Sequence, residues 1–232
     1  CVYMPVVSVS FSHRLQSSMY DLVNLHHHAE KVRSFLKRAP FRDWVDVVDE
    51  KQLLGTAGTL RANHSFFKDV IVLLVHADNW CQCNFNDFLD FHQSRRPKSC
   101  LISMMTFESP KPNTCGVVET NAEGVVIKFH EKVPNPPGNL ANGAVYLLEP
   151  EVLQWLEHNQ GISDFSTEVI PHFLGRIAIW QNTGIHRDIG QRSILQLAQD
   201  DPRPEALWAL NDEWYASFKK LPIYYQLQSG LK

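Results

Sequence analysis

The stretch Val70-Ile-Val-Leu-Leu-Val75-His-Ala-Asp78-Asn79 decides the fold class of this chain. An unbroken run of Val, Ile and Leu is typical of a strand that is covered on both faces, and such strands belong mostly to parallel sheets flanked by helices. Ligands of open α/β sheets bind beyond the carboxyl ends of the strands. Asp78 is therefore predicted to lie where a metal ion or a polar substrate is held.

Strand and helix patterns alternate on both sides of this stretch. The apolar spacing of residues 29–38 predicts a helix that Pro40 ends. A second helix, capped by Asn84 or Asn86, is predicted to end before Pro97. Pro150 fits the first turn of a third helix, which runs to about His158. Predicted strands cover 20–25, 45–48, 100–107, 144–148 and 177–180, and predicted hairpin strands cover 116–119 and 125–129. The pattern predicts an α/β fold with a mixed, mostly parallel sheet flanked by helices, and a C-terminal helical extension.

Length and composition describe an ordinary globular chain. It has 232 residues, of which 44% are hydrophobic and 20% charged, with a net charge of −3, which argues against a nucleic-acid partner. No apolar run approaches the roughly 20 residues of a membrane span, and no signal-peptide pattern is present at the start. We expect a cytoplasmic protein without a membrane partner.

The five cysteines do not form a pattern typical of a disulfide framework. Their number is odd and they are spread along the chain, so reduced thiols are expected. Cys81-Gln82-Cys83 resembles half of a zinc site, but no second close pair follows it.

Two regions are predicted. Residues 1–200 form the α/β domain, and residues 201–232 form the helical extension, in which four large apolar residues have the spacing of an amphipathic helix. This helix is expected to pack on the domain or on a second copy of the chain, which would give a homo-oligomer.

Three charged features follow predicted strands: Asp78, the pair Glu131-Lys132 and Asp188. Two aspartates at different strand ends can hold a hard divalent cation, since magnesium is usually bound by one or two carboxylates together with substrate phosphates. A nearby lysine offers a compact positive charge to a phosphate group. The alternative is that each of these residues is a solvated loop charge.

The segment Leu54-Gly55-Thr56-Ala57-Gly58-Thr59-Leu60 is a fourth feature. Gly55 and Gly58 would let the backbone approach a flat or phosphorylated ligand, and a helix entered at Leu60 would point its positive end toward that turn. A plain connection between a strand and a helix is the alternative.

These motifs, in this order, resemble those of the sugar-phosphate nucleotidyltransferases. Residues 54–58 resemble the family's base-binding segment, Asp78-Asn79 its magnesium aspartate, and Phe129-His-Glu131-Lys132 the element that holds the sugar and its phosphate. Asn142-Gly143 resembles the start of the strand that lines the sugar pocket. His186-Arg-Asp188-Ile-Gly190 resembles the element that carries the second metal aspartate.

The resemblance implies a Rossmann-like domain that joins a nucleoside triphosphate to a sugar 1-phosphate and releases pyrophosphate. It implies that Asp78 and Asp188 hold Mg²⁺, that Lys132 positions the sugar phosphate, and that Gly55, Thr56, Gly58, Asn79, Glu131, Asn142 and Gly143 contact the substrates. Residues 24–28 and 53–58 most resemble the guanylyltransferases that act on mannose- or heptose-type 1-phosphates, which favours GTP.

One family motif has no counterpart in the sequence. The N-terminal glycine-rich loop that wraps the triphosphate is missing, since the first glycine is Gly55. Either residues upstream of Cys1 carry the loop, or the chain is a divergent homologue that binds sugar phosphates or regulates a partner without transferring nucleotides. A nucleotide-sugar glycosyltransferase is a third alternative, although the usual Asp-x-Asp pair is absent.

Overall fold

The computed structural model describes residues 6–11, 19–39 and 42–202 together with Lys220 and Tyr225. The strands are β1 (Val6–Phe11), β2 (Met19–Leu25), β3 (Val45–Asp49), β4 (Ile71–His76), β5 (Asn79–Gln82), β6 (Ile102–Glu108), β7 (Gly116–Thr120), β8 (Val126–Glu131), β9 (Leu140–Leu148), β10 (Ile177–Gln181) and β11 (Ile185–Asp188). The helices are α1 (Ala29–Arg38), α2 (Thr56–Ala62), α3 (Phe85–Asp90), α4 (Pro150–His158), α5 (Ile170–His172) and α6 (Arg192–Ala198).

The main sheet is mixed, as predicted. Its strand order is β10-β6-β9-β4-β1-β2-β3, and the hairpin β7-β8 joins it through β7 and β9. Strands β10, β6, β4, β2 and β3 run in one direction, while β9 and β1 run in the other. Most described strands of this path therefore share one direction, although only β2–β3 and β6–β10 are hydrogen-bonded as parallel neighbours, because β9 and β1 are inserted between the others.

Strand β4 is covered on both faces, which explains its unbroken apolar sequence. Val72 and Leu74 lie in one buried cluster with residues of α2 and α4, and Ile71 and Leu73 lie in another with Phe88 of α3. Burial of such side chains stabilises the fold by roughly 1.5–3 kcal/mol each. Among the described residues, no helix is both long and apolar enough to cross a membrane.

Most predicted elements are confirmed, including α1, the cap at Asn84, the β7-β8 hairpin and the helix that begins at Pro150. The prediction that a helix is entered at Leu60 was wrong, because α2 begins at Thr56. The short strands β1, β5 and β11 were not predicted. The predicted C-terminal extension lies outside the described residues, apart from its first two residues and the isolated Lys220 and Tyr225.

The buried side chain of His92 holds the helical residues 91–95, which follow α3, against the amino end of β6. His92 is completely buried, and its Nδ1 lies 2.8 Å from the Ser103 hydroxyl. Its Nε2 lies 3.4 Å from Glu149 Oε1, and Glu149 is itself paired with Arg96. Burial lowers the pKa of His92 to about 3, and the positive charge of Arg96 contributes in the same direction. His92 is therefore neutral at pH 7.

This histidine predicts a loss of stability in acid. Between its ordinary pKa of 6.5 and about 3, the unfolded chain binds a proton that the folded chain does not, so stability falls as the pH falls through this window. From pH 7 to pH 5 the loss due to this group is about 2 kcal/mol. We expect His92→Gln to reduce the difference in unfolding free energy between the two pH values by about that amount, measured by urea unfolding.

The exposed His158 offers a matched control. We expect His158→Gln to keep the pH dependence of the parent chain. An unchanged pH dependence in His92→Gln would contradict the assignment.

Candidate functional site

The carboxyl edge of the sheet brings Asp78 next to the beginning of β9. Val75 of β4 pairs with Val145, and Thr106 of β6 pairs with Asn142, with a register shift between Met104 and Thr106. Residues 143–145 are therefore opposite Met105 alone and form a bulge relative to β6, and Ala144 has a left-handed φ of 50°. The edge at which the sequence predicted a site is thus reshaped by the bulge.

A separate two-stranded ribbon places Asp188 beside Asp78. Strands β5 and β11 pair antiparallel, with Asp188 opposite Asn79. The amide of Ile189 donates to the carbonyl oxygen of Asp78 at 2.8 Å. A Cβ added at Gly190 would lie 2.9 Å from Asp188 Oδ1 and 3.6 Å from Asp78 Oδ2. The two carboxylates predicted to bind a metal therefore flank the same glycine.

The charges at this site act on one another. Burial raises the pKa of Asp78, and the negative charge of Asp188 raises it further, while His76 opposes the shift. Burial lowers the pKa of His76, against the opposing effects of Asp78, Asp164 and Asp188. Several acidic groups thus lie near one half-buried histidine, and a bound cation would relieve the repulsion between Asp78 and Asp188.

The donor atoms of Asp78 and Asp188 are carboxylate oxygens, the kind of ligand that hard cations such as magnesium take. No group of three or more His, Cys, Asp or Glu side chains within the described ranges is arranged to hold a metal ion. Structural zinc needs such a group, whereas magnesium is usually held by one or two carboxylates plus substrate phosphates and water. The four cysteines in the described part of the chain are free thiols, and Cys81 lies beside Met105 in an apolar cluster.

Three predicted substrate-binding residues shape the bulge. The Asn79 side chain donates to Gly143 O at 2.9 Å, and Asn142 accepts from Ala144 N at 3.0 Å while donating to the Tyr146 hydroxyl at 2.6 Å. At Gly143 an added Cβ would lie 3.0 Å from Met105 O. These contacts fix the backbone beside the two aspartates, and a contact of these residues with substrate stays a prediction.

The site contains two residues that the motifs did not identify as functional on their own. His186 donates from Nε2 to Gly143 O at 2.7 Å and stacks on Phe107 with ring centroids 4.2 Å apart. Asp164 caps the turn that leads to α5 by accepting from Thr167 N at 2.7 Å, and its charge acts on His76. The sequence pattern did not indicate these interactions, because the partners of Asp164 and His186 lie far away along the chain.

Glu131 and Lys132 lie at the end of β8, where Gly116 of β7 pairs with Glu131. A Cβ at Gly116 would lie 2.8 Å from Glu131 Oε2. Lys132 Nζ is 3.6 Å from Glu131 Oε1, and its side chain is 67% exposed. Burial raises the pKa of Tyr146, and the charges of Glu131 and Asp164 add to the shift. The fold thus brings Glu131 toward the same buried tyrosine that contacts Asn142.

The group that closely approaches Gly55 and Gly58 is the backbone of Ser163, not a ligand. The amides of Ala57 and Gly58 donate to Ser163 O at 2.9 and 3.2 Å, and Thr56 Oγ1 accepts from Phe165 N at 2.8 Å. The expectation that these glycines leave room for a ligand is therefore corrected in part, because Ser163 occupies the space next to Gly55. Contact of Gly55, Thr56 and Gly58 with a nucleotide base stays a prediction.

Solved structures share this α/β fold. One, from Bacillus anthracis in complex with sucrose, is assigned as a glucose-1-phosphate thymidylyltransferase; its TM-score is 0.67 at 17% identity, over 79% of this chain and 78% of that one. Another, HddC from Yersinia pseudotuberculosis complexed with GMP-PN, has a TM-score of 0.64 at 18% identity, over 76% of each chain. At these identities the similarity establishes the fold.

The sequence establishes the family. A family model described as nucleotidyl transferase matches residues 2–202, so the chain belongs to the nucleotidyl transferase family. A protein from Sulfolobus acidocaldarius assigned as a mannose-1-phosphate guanyltransferase is 29% identical, over 70% of this chain and 44% of the relative. A glucose-1-phosphate adenylyltransferase from Bacillus cytotoxicus is 27% identical, over 71% and 47%. The chain spans less than half the length of these relatives.

Proposed function

We propose that this chain is a magnesium-dependent nucleotidyltransferase that joins a nucleoside triphosphate to a sugar 1-phosphate. A phosphate oxygen of the sugar 1-phosphate forms a bond to the α-phosphorus, the bond between that phosphorus and the bridging oxygen breaks, and pyrophosphate leaves. The observation that carries the proposal is the pair Asp78 and Asp188, which flank Gly190 at the carboxyl edge of the sheet. Family membership supports the same reading.

Asp78 and Asp188 would hold Mg²⁺, which when bound neutralises charge on the α-phosphate. Asp78 lies in the turn between β4 and β5, whereas Asp188 ends β11, so the ribbon β5-β11 has to hold Asp188 in place. Phosphoryl-type transfers need mainly positioning and charge neutralisation, because the protein forms no covalent bond to the substrate. A rigid pair of carboxylates meets that need.

Lys132 and Glu131 would bind the sugar 1-phosphate. Lys132 is exposed and its Nζ lies 3.6 Å from Glu131 Oε1, so its ammonium group can turn toward a phosphate without breaking a buried ion pair. Glu131 would then accept hydrogen bonds from sugar hydroxyl groups. Both residues lie at the end of β8 in the main sheet, whereas Asp188 lies in the separate ribbon β5-β11.

Guanine and a mannose- or heptose-type sugar are the narrower part of the proposal. Support comes from the segments 24–28 and 53–58 and from the Sulfolobus acidocaldarius relative. The adenylyltransferase relatives leave adenine as the competing base.

A matrix of substrates tests the reaction. The protein is incubated with each of ATP, GTP, CTP, UTP and dTTP against mannose, glucose and heptose 1-phosphates, and both pyrophosphate and the nucleotide sugar are measured. We expect product with at least one pair in the presence of magnesium and none after chelation, with the highest rate for GTP. Absence of pyrophosphate with every pair would rule out the proposed reaction for this chain, and a higher rate with ATP would replace only the assignment of the base.

A further inference from the structure

On each face of the ribbon that carries Asp188, one acceptor group binds both strands. On the inner face, Gly143 O accepts from Asn79 of β5 at 2.9 Å and from His186 of β11 at 2.7 Å. On the outer face, the Asp201 carboxylate accepts from Trp80 of β5 and from Arg187 of β11. Each acceptor therefore bridges both strands.

The contacts of Asp201 are short and well oriented. Arg187 donates from Nε to Oδ2 and from Nη2 to Oδ1, both at 2.6 Å, and Trp80 Nε1 donates to Oδ2 at 2.9 Å. The Asp201 side chain is only 6% exposed. A paired arginine and carboxylate of this kind is stronger and more specific in geometry than a single contact.

The surroundings keep the carboxylate charged. Hydrogen bonding to Arg187 holds the pKa of Asp201 below its usual range, and Trp80 contributes in the same direction. The adjacent Pro202 carbonyl accepts from Gln82 Nε2 at 2.6 Å, on the same face as Trp80. Three side chains of the ribbon, those of Trp80, Gln82 and Arg187, therefore bind the residues that follow α6.

The residues that Asp201 contacts are adjacent in sequence to two residues of the candidate site. Trp80 follows Asn79, and Arg187 precedes Asp188, and the two pairs face each other across the ribbon. Successive side chains of a strand point to opposite faces, so the residues held by Asp201 alternate with those that face Asp78. An isolated two-stranded ribbon is marginally stable, so its geometry depends on such external contacts.

We propose that Asp201 is a positioning residue that fixes Asp188 relative to Asp78 by bridging Arg187 and Trp80 on the far face of the ribbon. This inference rests on the proposed function, because it assigns Asp201 a part in that reaction. Asp201 does not touch the reacting atoms in this assignment. It acts through the strand geometry of β5 and β11.

Asp201→Asn tests the proposal, with Asp200→Asn as the matched control. Asp200 is the exposed neighbour, so the control removes the same charge without touching the ribbon. We expect Asp201→Asn to lower kcat by about 10- to 100-fold, as is typical when residues that orient metal ligands are changed. We also expect the magnesium concentration for half-maximal activity to rise about tenfold, while KM for both substrates stays within about threefold.

A purely structural role predicts a different result. Activity would then fall only in proportion to the unfolded fraction, and the magnesium dependence would match that of Asp200→Asn, which would overturn the proposal. If Asp201→Asn does not fold, Trp80→Phe removes one donor while keeping an aromatic ring. It is expected to shift kcat and the magnesium dependence in the same direction by a smaller factor, and an unshifted magnesium dependence would overturn the proposal.

Hydrogen exchange separates this inference from the proposed function. The Ile189 amide, which donates to Asp78 O, reports how the end of the ribbon is held without any substrate. We expect it to exchange at least about tenfold faster in Asp201→Asn than in Asp200→Asn. If the parent chain transfers no nucleotide, the proposed function fails, yet faster exchange still supports positioning by Asp201 and unchanged exchange overturns it.

Discussion

Asp188→Asn is expected to lower the rate of nucleotidyl transfer by at least about 10³-fold, which corresponds to about 4 kcal/mol of transition-state stabilisation. The substitution keeps the shape of the side chain but removes one of the two charges that would bind magnesium. Asp78→Asn should have an effect of similar size. The measurement is pyrophosphate release at saturating substrate over a range of magnesium concentrations.

The stability of the fold is expected to respond differently. Asp188 raises the pKa of Asp78 by repulsion, so removal of its charge takes away an unfavourable interaction in the folded state. We therefore expect the unfolding free energy of Asp188→Asn to change by no more than about 1 kcal/mol. The exposed Asp46 on β3 provides the control, and Asp46→Asn should keep full activity. Near-normal turnover of Asp188→Asn or Asp78→Asn would show that the metal assignment is wrong.

Gly55→Ala is expected to destabilise the chain by roughly 3–5 kcal/mol, from backbone strain and overpacking together. Gly55 has φ 78° and ψ 167°, a conformation that is essentially restricted to glycine. An added Cβ would also overlap the carbonyl oxygen of Ser163, which accepts from the amides of Ala57 and Gly58. Urea unfolding at pH 7 measures the loss.

Substitutions at two other glycines separate the effect of backbone strain from the effect of overpacking. Gly175 has φ 79° with nothing within 4 Å of an added Cβ, so Gly175→Ala should show the strain alone, about 1–2 kcal/mol. Gly161 has open space and no such φ, so Gly161→Ala should change the unfolding free energy by less than about 0.5 kcal/mol. Equal effects of Gly55→Ala and Gly175→Ala would mean that the contact with Ser163 contributes little.

Local sequence patterns predicted the elements that have strong local signals. Helix α1 has a continuous apolar face, the helix at Pro150 has a favourable first turn, and β4 has an unbroken apolar run. The four-residue strands β5 and β11 have none of these signals. Their existence depends on pairing with each other, which connects segments far apart in the chain.

The sequence motifs indicated the two acidic residues of the candidate site, but they indicated only some of the residues around them. The order of motifs indicated Asp78 and Asp188, because each carboxylate follows an apolar segment. The interactions of Asp164 with His76, and of His186 with Gly143, were not predicted, because each joins residues that are far apart in the chain and that only the fold brings close. No sequence pattern indicated a role for Asp201, because its partners Trp80 and Arg187 lie on the separate strands β5 and β11.

The sequence by itself determined the α/β class, the strand that leads to Asp78 and the family, since these depend on residue types and on spacing along the chain. The tertiary structure decided that β9 bulges beside β4, that Ser163 fills the space at Gly55, and that the ribbon brings Asp188 to Asp78. The physical reason is that burial patterns and turn residues act over a few positions. Strand pairing and contacts between carboxylates are set only when the whole chain has packed.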